Sequence, residues 1–203
     1  MGARDEQSAL SAPGTLVVTG GGRGIGSAIT RCAAERGWAV AVNYLRDRES
    51  AEAVVNDIVA RGGSAVAIGA DIGDPLAAAR LVAQAQEALG PIAGLVNNAA
   101  ITGGIARVAD VDAATLARVF AVNVIGAMVC ARKAVRRMSK ANGGFGGAIV
   151  NISSRAAVYG SAGEWVHYAA SKAAIDAFTV GLAVETTRLV YGPRPNVRRG
   201  SRS

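Results

Sequence analysis

A short apolar strand that runs directly into a glycine-rich turn and a helix constrains the fold of this chain more than any other feature. Residues 15–19 are apolar and β-branched, as is typical of a buried parallel strand. Residues 20–26 contain five glycines, and apolar residues then recur at helical spacing until Gly37. Glycines let an anion approach the backbone, and a helix N-terminus offers free N–H groups. An ordinary tight turn is the alternative, but the position between strand and helix favours a phosphate site.

The rest of the chain alternates strands and helices. Further strands are predicted at 39–44, 65–71, 92–96 and 147–153, and further helices at 49–61, 74–89, 112–139 and 168–188. Asp74 followed by Pro75, and Asp112, predict two helix starts by capping. Such alternation implies right-handed crossovers, and therefore an α/β, doubly wound parallel sheet of the Rossmann type with strand order 3-2-1-4-5.

Composition narrows the functional classes. With 203 residues and 51% hydrophobic residues the chain fits one domain, predicted at 14–188 between a flexible leader at 1–13 and a basic, disordered tail at 189–203. We expect no apolar run long enough to span a bilayer, and the first residues lack an apolar signal segment, so a cytoplasmic location is predicted. Cys32 and Cys130 have no metal-ligand spacing and are expected to be buried and reduced. No metal site is predicted.

The net charge of +7 does not indicate nucleic acid. Residues 188–203 hold five arginines and no acidic residue, which leaves 17 basic and 15 acidic residues in the remaining chain. That body has no basic stripe interleaved with aromatic residues and no DNA-binding signature. We therefore expect a small-molecule substrate, and neither a nucleic acid nor a membrane partner.

Tyr168 and Lys172 form a candidate proton-transfer pair. Positions i and i+4 share one helix face, so the ammonium can lie near the phenol. A nearby positive charge favours phenolate and lowers a phenol pKa toward working pH. An exposed helix face with two amphipathic side chains is the alternative. The neighbouring His167 should point away from Tyr168, which predicts a surface or packing role.

Together these motifs resemble the short-chain dehydrogenase/reductase family. Its glycine loop corresponds to Thr19–Gly26, and its Asn-Asn-Ala-Gly motif appears at 97–100 with Ala100 in the last place. The family's catalytic set would be Asn123, Ser154, Tyr168 and Lys172, with Ser153 in reserve because the spacing from serine to tyrosine is longer than usual. In the family, tyrosine transfers the proton, serine orients the substrate oxygen, lysine holds the nicotinamide ribose and asparagine positions a water.

The resemblance also implies a cofactor site. The candidate residues are Gly20, Arg23, Gly24, Ile25, Gly26, Asn43, Arg46, Asp71, Ile72, Asn98, Ala99, Tyr168 and Lys172. Strand two ends in Asn43 and Tyr44 where NAD-binding proteins place an acidic residue, while Arg23 and Arg46 can face a 2′-phosphate. This predicts NADP(H), with NAD left open because Asp47 is near. Asp71 would contact adenine; a helix or turn cap is its alternative.

The resemblance leaves two rival functions. One is a catalytically silent NADP-binding or interaction protein, and the other is a sugar-nucleotide epimerase, against which the glycine spacing speaks. The family continues past the last predicted helix into further strands and helices that are missing here, so we expect a truncated or frame-shifted C-terminus. A homo-oligomer remains open, without the last-strand interface.

Overall fold

The computed structural model describes residues 13–191, with side chains to residue 186. Residues 192–203 of the predicted tail and residues 1–12 of the predicted leader lie outside this range. The last helix continues to Tyr191, so residues 189–191, predicted to belong to the disordered tail, are helical, and the domain boundaries otherwise stay a prediction. Five parallel strands form one sheet in the order β3-β2-β1-β4-β5. They are β1 (Thr15–Val18), β2 (Ala39–Tyr44), β3 (Ala65–Gly69), β4 (Ile92–Asn97) and β5 (Ala148–Asn151). The predicted fold class and strand order are confirmed.

Helices cover both faces of this sheet. They are α1 (Gly24–Ala34), α2 (Arg48–Ala60), α3 (Pro75–Leu89), α4 (Ala113–Phe120), α5 (Ala127–Met138), α6 (Ala156–Tyr159) and α7 (Val166–Tyr191). Residues of α1 and α2 pack with Leu16, Val18 and Val40 on one face. Residues of α3, α5 and α7 form the core on the other face, around Leu81 and Leu95. Because the five strands are parallel, their carboxyl ends lie at one edge of the sheet. The loops at this edge carry the polar motifs.

The predicted helix ends are partly confirmed. Asp74 accepts from Leu76 N at 2.8 Å and caps α3, whose first residue is Pro75. Asp112 accepts from Thr115 N at 2.7 Å and caps α4. The single helix predicted at 112–139 is wrong in its interior, because a π-helical segment (Ala121–Gly126) separates α4 from α5. Apolar periodicity does not reveal such a segment, which often marks a functional site.

Two further expectations need correction. Cys32 is exposed rather than buried, since α1 turns that position to solvent, whereas Cys130 is buried and burial raises the pKa of its thiol to about 12. The continuous helical run Ala113–Met138 is long and apolar enough to span a bilayer by composition, contrary to the expectation. Its buried side chains, including Val129, Cys130 and Ala134, pack into the sheet core. This run is therefore a core helix, and the cytoplasmic location stays a prediction.

Within the described part of the chain, β5 is an edge strand. It pairs with β4 from Gly94↔Ala148 to Asn97↔Asn151, and its other edge has no strand beside it there. Ala148 is exposed, and so is Val150 at 51%. The strand ends at Asn151, three residues before Ser154, so the candidate catalytic serine lies near its carboxyl end.

Candidate active site and nucleotide loop

The glycine turn after β1 is fixed in place by a hydrogen bond and by close packing with its neighbours. Gly20 has φ +62° and donates from its backbone N–H to Asn43 Oδ1 at 3.1 Å. Gly26 lies so close to the turn that a Cβ there would come within 2.1 Å of Gly20 O. Gly24, at φ +52°, faces open space. The turn therefore needs glycine for two different reasons, a left-handed backbone and a close approach.

The start of α1 leaves room for an anion. Arg23 is the N-cap residue of α1, and its side chain makes no capping hydrogen bond with the first N–H groups of the helix. Ile25, the second residue of α1, is 66% exposed. Free N–H groups together with the positive end of the helix dipole suit a phosphate. The residues present therefore fit the pyrophosphate of a dinucleotide.

Asn98 ties the loop after β4 to the glycine turn. Its Nδ2 donates to Thr19 O and Gly20 O, both at 3.0 Å, and the backbone N–H groups of Asn98 and Ala99 donate to Thr19 Oγ1. Ala100, which stands where the family has glycine, is exposed and does not adopt positive φ. Alanine is thus tolerated at this position without backbone strain.

Asn43 has a structural role that sequence reasoning missed. It is 1% exposed, and Nδ2 donates to the carbonyls of Tyr44, Ile68 and Ala70 at 3.0–3.2 Å, while Oδ1 accepts from Gly20 N. An uncharged amide can satisfy this mixed set of donors and acceptors, whereas a carboxylate only accepts. Asn43 therefore joins β2, β3 and the glycine turn.

The two candidate arginines are free of ion pairs. Arg23 and Arg46 are exposed, and neither lies within 4.0 Å of a carboxylate among the described residues. Asp47 caps α2 by accepting from Ser50 N at 3.0 Å. This bond is the main reason why the pKa of Asp47 lies below its ordinary value, and the charge of Arg23 adds to it. The acidic residue that left NAD open is thus engaged in a helix cap.

Asp71 pairs with α4. Its Oδ1 accepts from Arg118 Nη2 at 2.9 Å and from Gly73 N at 2.8 Å. Arg118 is the largest cause of the lowered pKa of Asp71, and the charge of Arg46 contributes as well. Ile72 is buried, with its backbone oxygen 2.1 Å from where a Cβ on Gly126 would stand. Asp71 therefore makes the turn-capping hydrogen bond that was its alternative role, and it lies just after the end of β3.

Tyr168 and Lys172 lie together on α7, as predicted. Lys172 Nζ is 5.8 Å from the centroid of the Tyr168 ring. Lys172 is only 4% exposed, and Nζ donates to Ile152 O at 2.7 Å. Burial lowers the pKa of Lys172, and the charge of Asp176 opposes this in part. The ammonium group is thus held beside the half-buried Tyr168 ring.

Asn123 joins the π-helical segment to α7. Its amide exchanges two hydrogen bonds with the backbone of Ile101, both 2.9 Å, and donates to Ser171 Oγ at 2.9 Å. Ser171 Oγ in turn donates to Tyr168 O at 2.7 Å. Asn123 thus reaches the helix that carries Tyr168 and Lys172 through Ser171, a residue the sequence analysis did not select.

The two serines after β5 differ in their hydrogen bonds. Ser154 Oγ accepts from Ala156 N at 3.2 Å and retains its own proton for donation. Ser153 Oγ is buried and has no partner within the described residues. Lys172 contacts the carbonyl of Ile152 just before both serines. The hydrogen bonds do not by themselves select one serine, and Ser154 stays the prediction.

Among residues 13–186 no group of three or more His, Cys, Asp or Glu side chains could hold a metal ion. A cleft of about 250 Å³ lies between the loop after β4 and α4. It is lined by Ile101, Gly103, Ala114, Thr115, Arg118 and Val119.

Comparisons with known proteins agree with this geometry. An uncharacterized oxidoreductase of Escherichia coli, YgfF, is 46% identical over 169 residues, which are 83% of this chain and 68% of the relative. Versicolorin reductase 1 of Aspergillus parasiticus is 41% identical over 169 residues, which are 83% of this chain and 62% of the relative. The chain thus spans roughly two thirds of the length of these proteins.

Solved structures match equally well. A short chain dehydrogenase from Burkholderia cenocepacia in complex with NADP superposes with a TM-score of 0.80 at 36% identity, covering 86% of this chain and 69% of the other. A blue fluorescent protein from a metagenomic library in complex with NADPH gives 0.80 at 35% identity, covering 87% and 70%. The family profile described as short chain dehydrogenase matches residues 14–190. This chain belongs to the short chain dehydrogenase family of oxidoreductases.

Proposed function

We propose that the chain is an NADP(H)-dependent oxidoreductase that interconverts a carbonyl and an alcohol, with Tyr168 as proton donor and acceptor. The observation that carries this proposal is the buried Lys172 ammonium 5.8 Å from the Tyr168 ring. Two relatives of known structure bind NADP and NADPH, which supports the same cofactor here.

The nucleotide would lie along the strand ends. Gly20, Gly24 and Gly26 keep the turn open to a pyrophosphate at the start of α1. Asn98 and Ala99 fix the loop after β4 against that turn, Asn43 fixes the end of β2, and Asp71 and Ile72 bound the adenine side. When bound, NADPH supplies a hydride to the carbonyl carbon.

Arg23 and Arg46 would select the 2′-phosphate. Both are exposed, without an ion pair in the described part of the chain, and Asp47 is held as the cap of α2. A guanidinium binds a phosphate with two parallel N–H donors, whereas the 2′-hydroxyl of NAD gains little from a second positive charge. NADP(H) is therefore preferred over NAD(H).

Protons would move through Tyr168. In the reductive direction its hydroxyl gives a proton to the carbonyl oxygen while the carbon accepts the hydride, and the phenolate then regains a proton from solvent. Lys172 stabilises that phenolate by charge. Ser154 donates a hydrogen bond to the substrate oxygen. Asn123 fixes Ile101 and Ser171 around a relay water that leads to Lys172.

The test is turnover by the purified chain with NADPH and a panel of simple ketones and aldehydes. The proposal predicts NADPH oxidation matched one for one by alcohol, with NADH at least 10-fold less effective. Saturable NADPH binding without any turnover would favour the silent nucleotide-binding alternative. Absence of binding to either nucleotide would contradict the proposal at its first step.

A further inference from the structure

The side chain of His167 presents a buried nitrogen that the proposed reaction does not use. His167 is 6% exposed, and its Nε2 has no hydrogen-bond partner among the described residues. A buried polar atom without a partner destabilises the folded chain, so its presence calls for an explanation. An apolar residue would pack at this position at lower cost. The nitrogen therefore indicates a partner outside the described residues.

Gly103, which lines the cleft, lies next to this nitrogen. Nε2 is 3.0 Å from the position that a Cβ on Gly103 would occupy, and Val119 and Thr115 contact the same position. Gly103, Thr115 and Val119 all line the cleft between α4 and the loop after β4. Gly103 itself is exposed. A small outward shift of this glycine would therefore open Nε2 to the cleft.

The loop segment that contains Gly103 is anchored by hydrogen bonds at both ends. We call residues 101–106 the strap. Ile101 is fixed at one end by two hydrogen bonds with Asn123, and Ala106 N donates to Glu164 O at 2.9 Å at the other. Between these anchors Gly103 and Gly104 adopt φ +81° and +88°, and a Cβ on Gly104 would meet nothing within 4 Å. The ends are held by hydrogen bonds, while the space beside Gly104 in the middle is open.

The cleft also adjoins the proposed active site. His167 directly precedes Tyr168 on α7, and Ile101, which lines the cleft, is bound by Asn123. Asn123 contacts Ser171, the neighbour of Lys172. A substrate whose reacting oxygen lies at Tyr168 would therefore have this cleft within reach of its other end.

We propose that His167 is a specificity-determining residue, whose Nε2 binds a hydroxyl group of the substrate remote from the reacting carbonyl once the strap moves aside. A hydroxyl both donates and accepts, so it can pair with Nε2 whether or not that nitrogen carries a hydrogen. Ile101, Ala114 and Val119 form an apolar part of the lining, beside Thr115 and Arg118, and this part fits a hydrocarbon body. This inference rests on the proposed function, since it concerns that reaction's substrate.

The chain contains a single histidine, so ¹⁵N-histidine labelling gives one imidazole whose Nε2 resonance can be followed directly. The probes are ketones with a hydroxyl three to five bonds from the carbonyl, each paired with a counterpart carrying methyl in place of hydroxyl, added to protein saturated with NADP⁺. At least one hydroxy-ketone should shift the Nε2 resonance while its methyl partner does not. No shift with any hydroxy-ketone, or equal shifts within every pair, would overturn the inference.

Kinetics provide the second arm. With NADPH, wild-type protein should prefer the responsive hydroxy-ketone over its methyl partner by at least 10-fold in kcat/KM, and His167→Phe should abolish this preference without weakening NADPH binding. An unchanged preference in His167→Phe overturns the inference alone. If wild type reduces no ketone, the proposed function fails, and the resonance arm still decides whether Nε2 binds the hydroxyl.

Gly103→Ala and Gly104→Ala form a pair that does not alter His167. Both place alanine at a left-handed φ, but only the Gly103 side chain would contact Nε2. Gly103→Ala should shift the His167 resonance in ligand-free protein, and Gly104→Ala should leave it in place. Equal shifts in the two variants would contradict the placement of Gly103 against His167.

Discussion

Lys172 Nζ lies 5.8 Å from the centroid of the Tyr168 ring and donates to the carbonyl of Ile152 at 2.7 Å. The lysine is thus fixed between the helix that carries the tyrosine and the chain leaving β5. Because Lys172 is only 4% exposed, its charge acts on Tyr168 with little screening by solvent. The pair joins two parts of the proposed site, Tyr168 on α7 and the loop that carries Ser153 and Ser154.

Lys172→Met should reduce kcat/KM by about 100-fold, in the range typical of lost acid–base assistance. The folded chain should remain, since methionine matches the buried stem and removes a charge that is costly to bury. Thermal unfolding and carbonyl reduction by the same sample provide the measurement. Retained activity with an unchanged pH profile would contradict the role given to this lysine.

The same variant should change how stability depends on pH. Burial lowers the pKa of Lys172 from 10.5, so between that lowered value and 10.5 the unfolded chain binds more protons than the folded one. The unfolding free energy contributed by this residue therefore rises with pH across that window. Urea unfolding of wild type and Lys172→Met between pH 7 and pH 10 should show a less positive slope in the variant; parallel curves would show that Lys172 makes no such contribution.

Removing the guanidinium at Arg23 or Arg46 should weaken NADPH and spare NADH. A charge-assisted hydrogen bond contributes about 1.5–3 kcal/mol, so each alanine variant should raise the Kd for NADPH by roughly 10-fold or more. Arg80→Ala, on the exposed surface of α3, is the matched control. Nicotinamide fluorescence titration measures all four proteins. Equal losses for NADPH and NADH would mean that the two arginines do not recognise the 2′-phosphate.

Gly26→Ala should damage the nucleotide turn far more than Gly24→Ala. A Cβ on Gly26 would stand 2.1 Å from Gly20 O and 2.7 Å from Asn98 Nδ2, so backbone must shift. A Cβ on Gly24 meets nothing within 4 Å, and its penalty is limited to about 1–2 kcal/mol for a left-handed backbone. Chemical denaturation and NADPH titration of both variants test this order, which the reverse ranking would refute.

Asn123→Ala should cost more stability than Ser171→Ala. The first change leaves both backbone groups of the half-buried Ile101 without their partner, at up to about 1–3 kcal/mol for each, and also removes the bond to Ser171. The second removes the two hydrogen bonds of Ser171 Oγ, each worth about 1 kcal/mol. Denaturant unfolding of the two variants measures the difference. A larger loss for Ser171→Ala would show that the Ile101 contacts contribute little.

Local patterns predicted the sheet well because each strand and its capped helix carry their own signals. Pro75 after Asp74 marks a helix start, and the run at 15–19 marks a strand, whatever the rest of the chain does. The π-helical segment around Asn123 left no such trace, because apolar spacing barely distinguishes it from an α-helix. Tertiary contacts decided that break.

The candidate site was predicted by residue type and order, but not by hydrogen bonding. Spacing placed Tyr168 beside Lys172 because both belong to one helix. It did not reveal that Asn43 joins two strands to the glycine turn, since those partners are distant in sequence. Nor did it show that His167 ends with a buried nitrogen next to Gly103.

The most direct test of the central claim compares Tyr168→Phe with Tyr159→Phe. Both remove one phenolic hydroxyl, but Tyr159 is 67% exposed and its hydroxyl contacts only Arg155 among the described residues. Carbonyl reduction and NADPH affinity are measured on each purified variant. Tyr168→Phe should lower kcat by at least 100-fold with NADPH binding retained, as expected for a lost proton donor, and Tyr159→Phe should match wild type. Undiminished turnover by Tyr168→Phe would contradict the account.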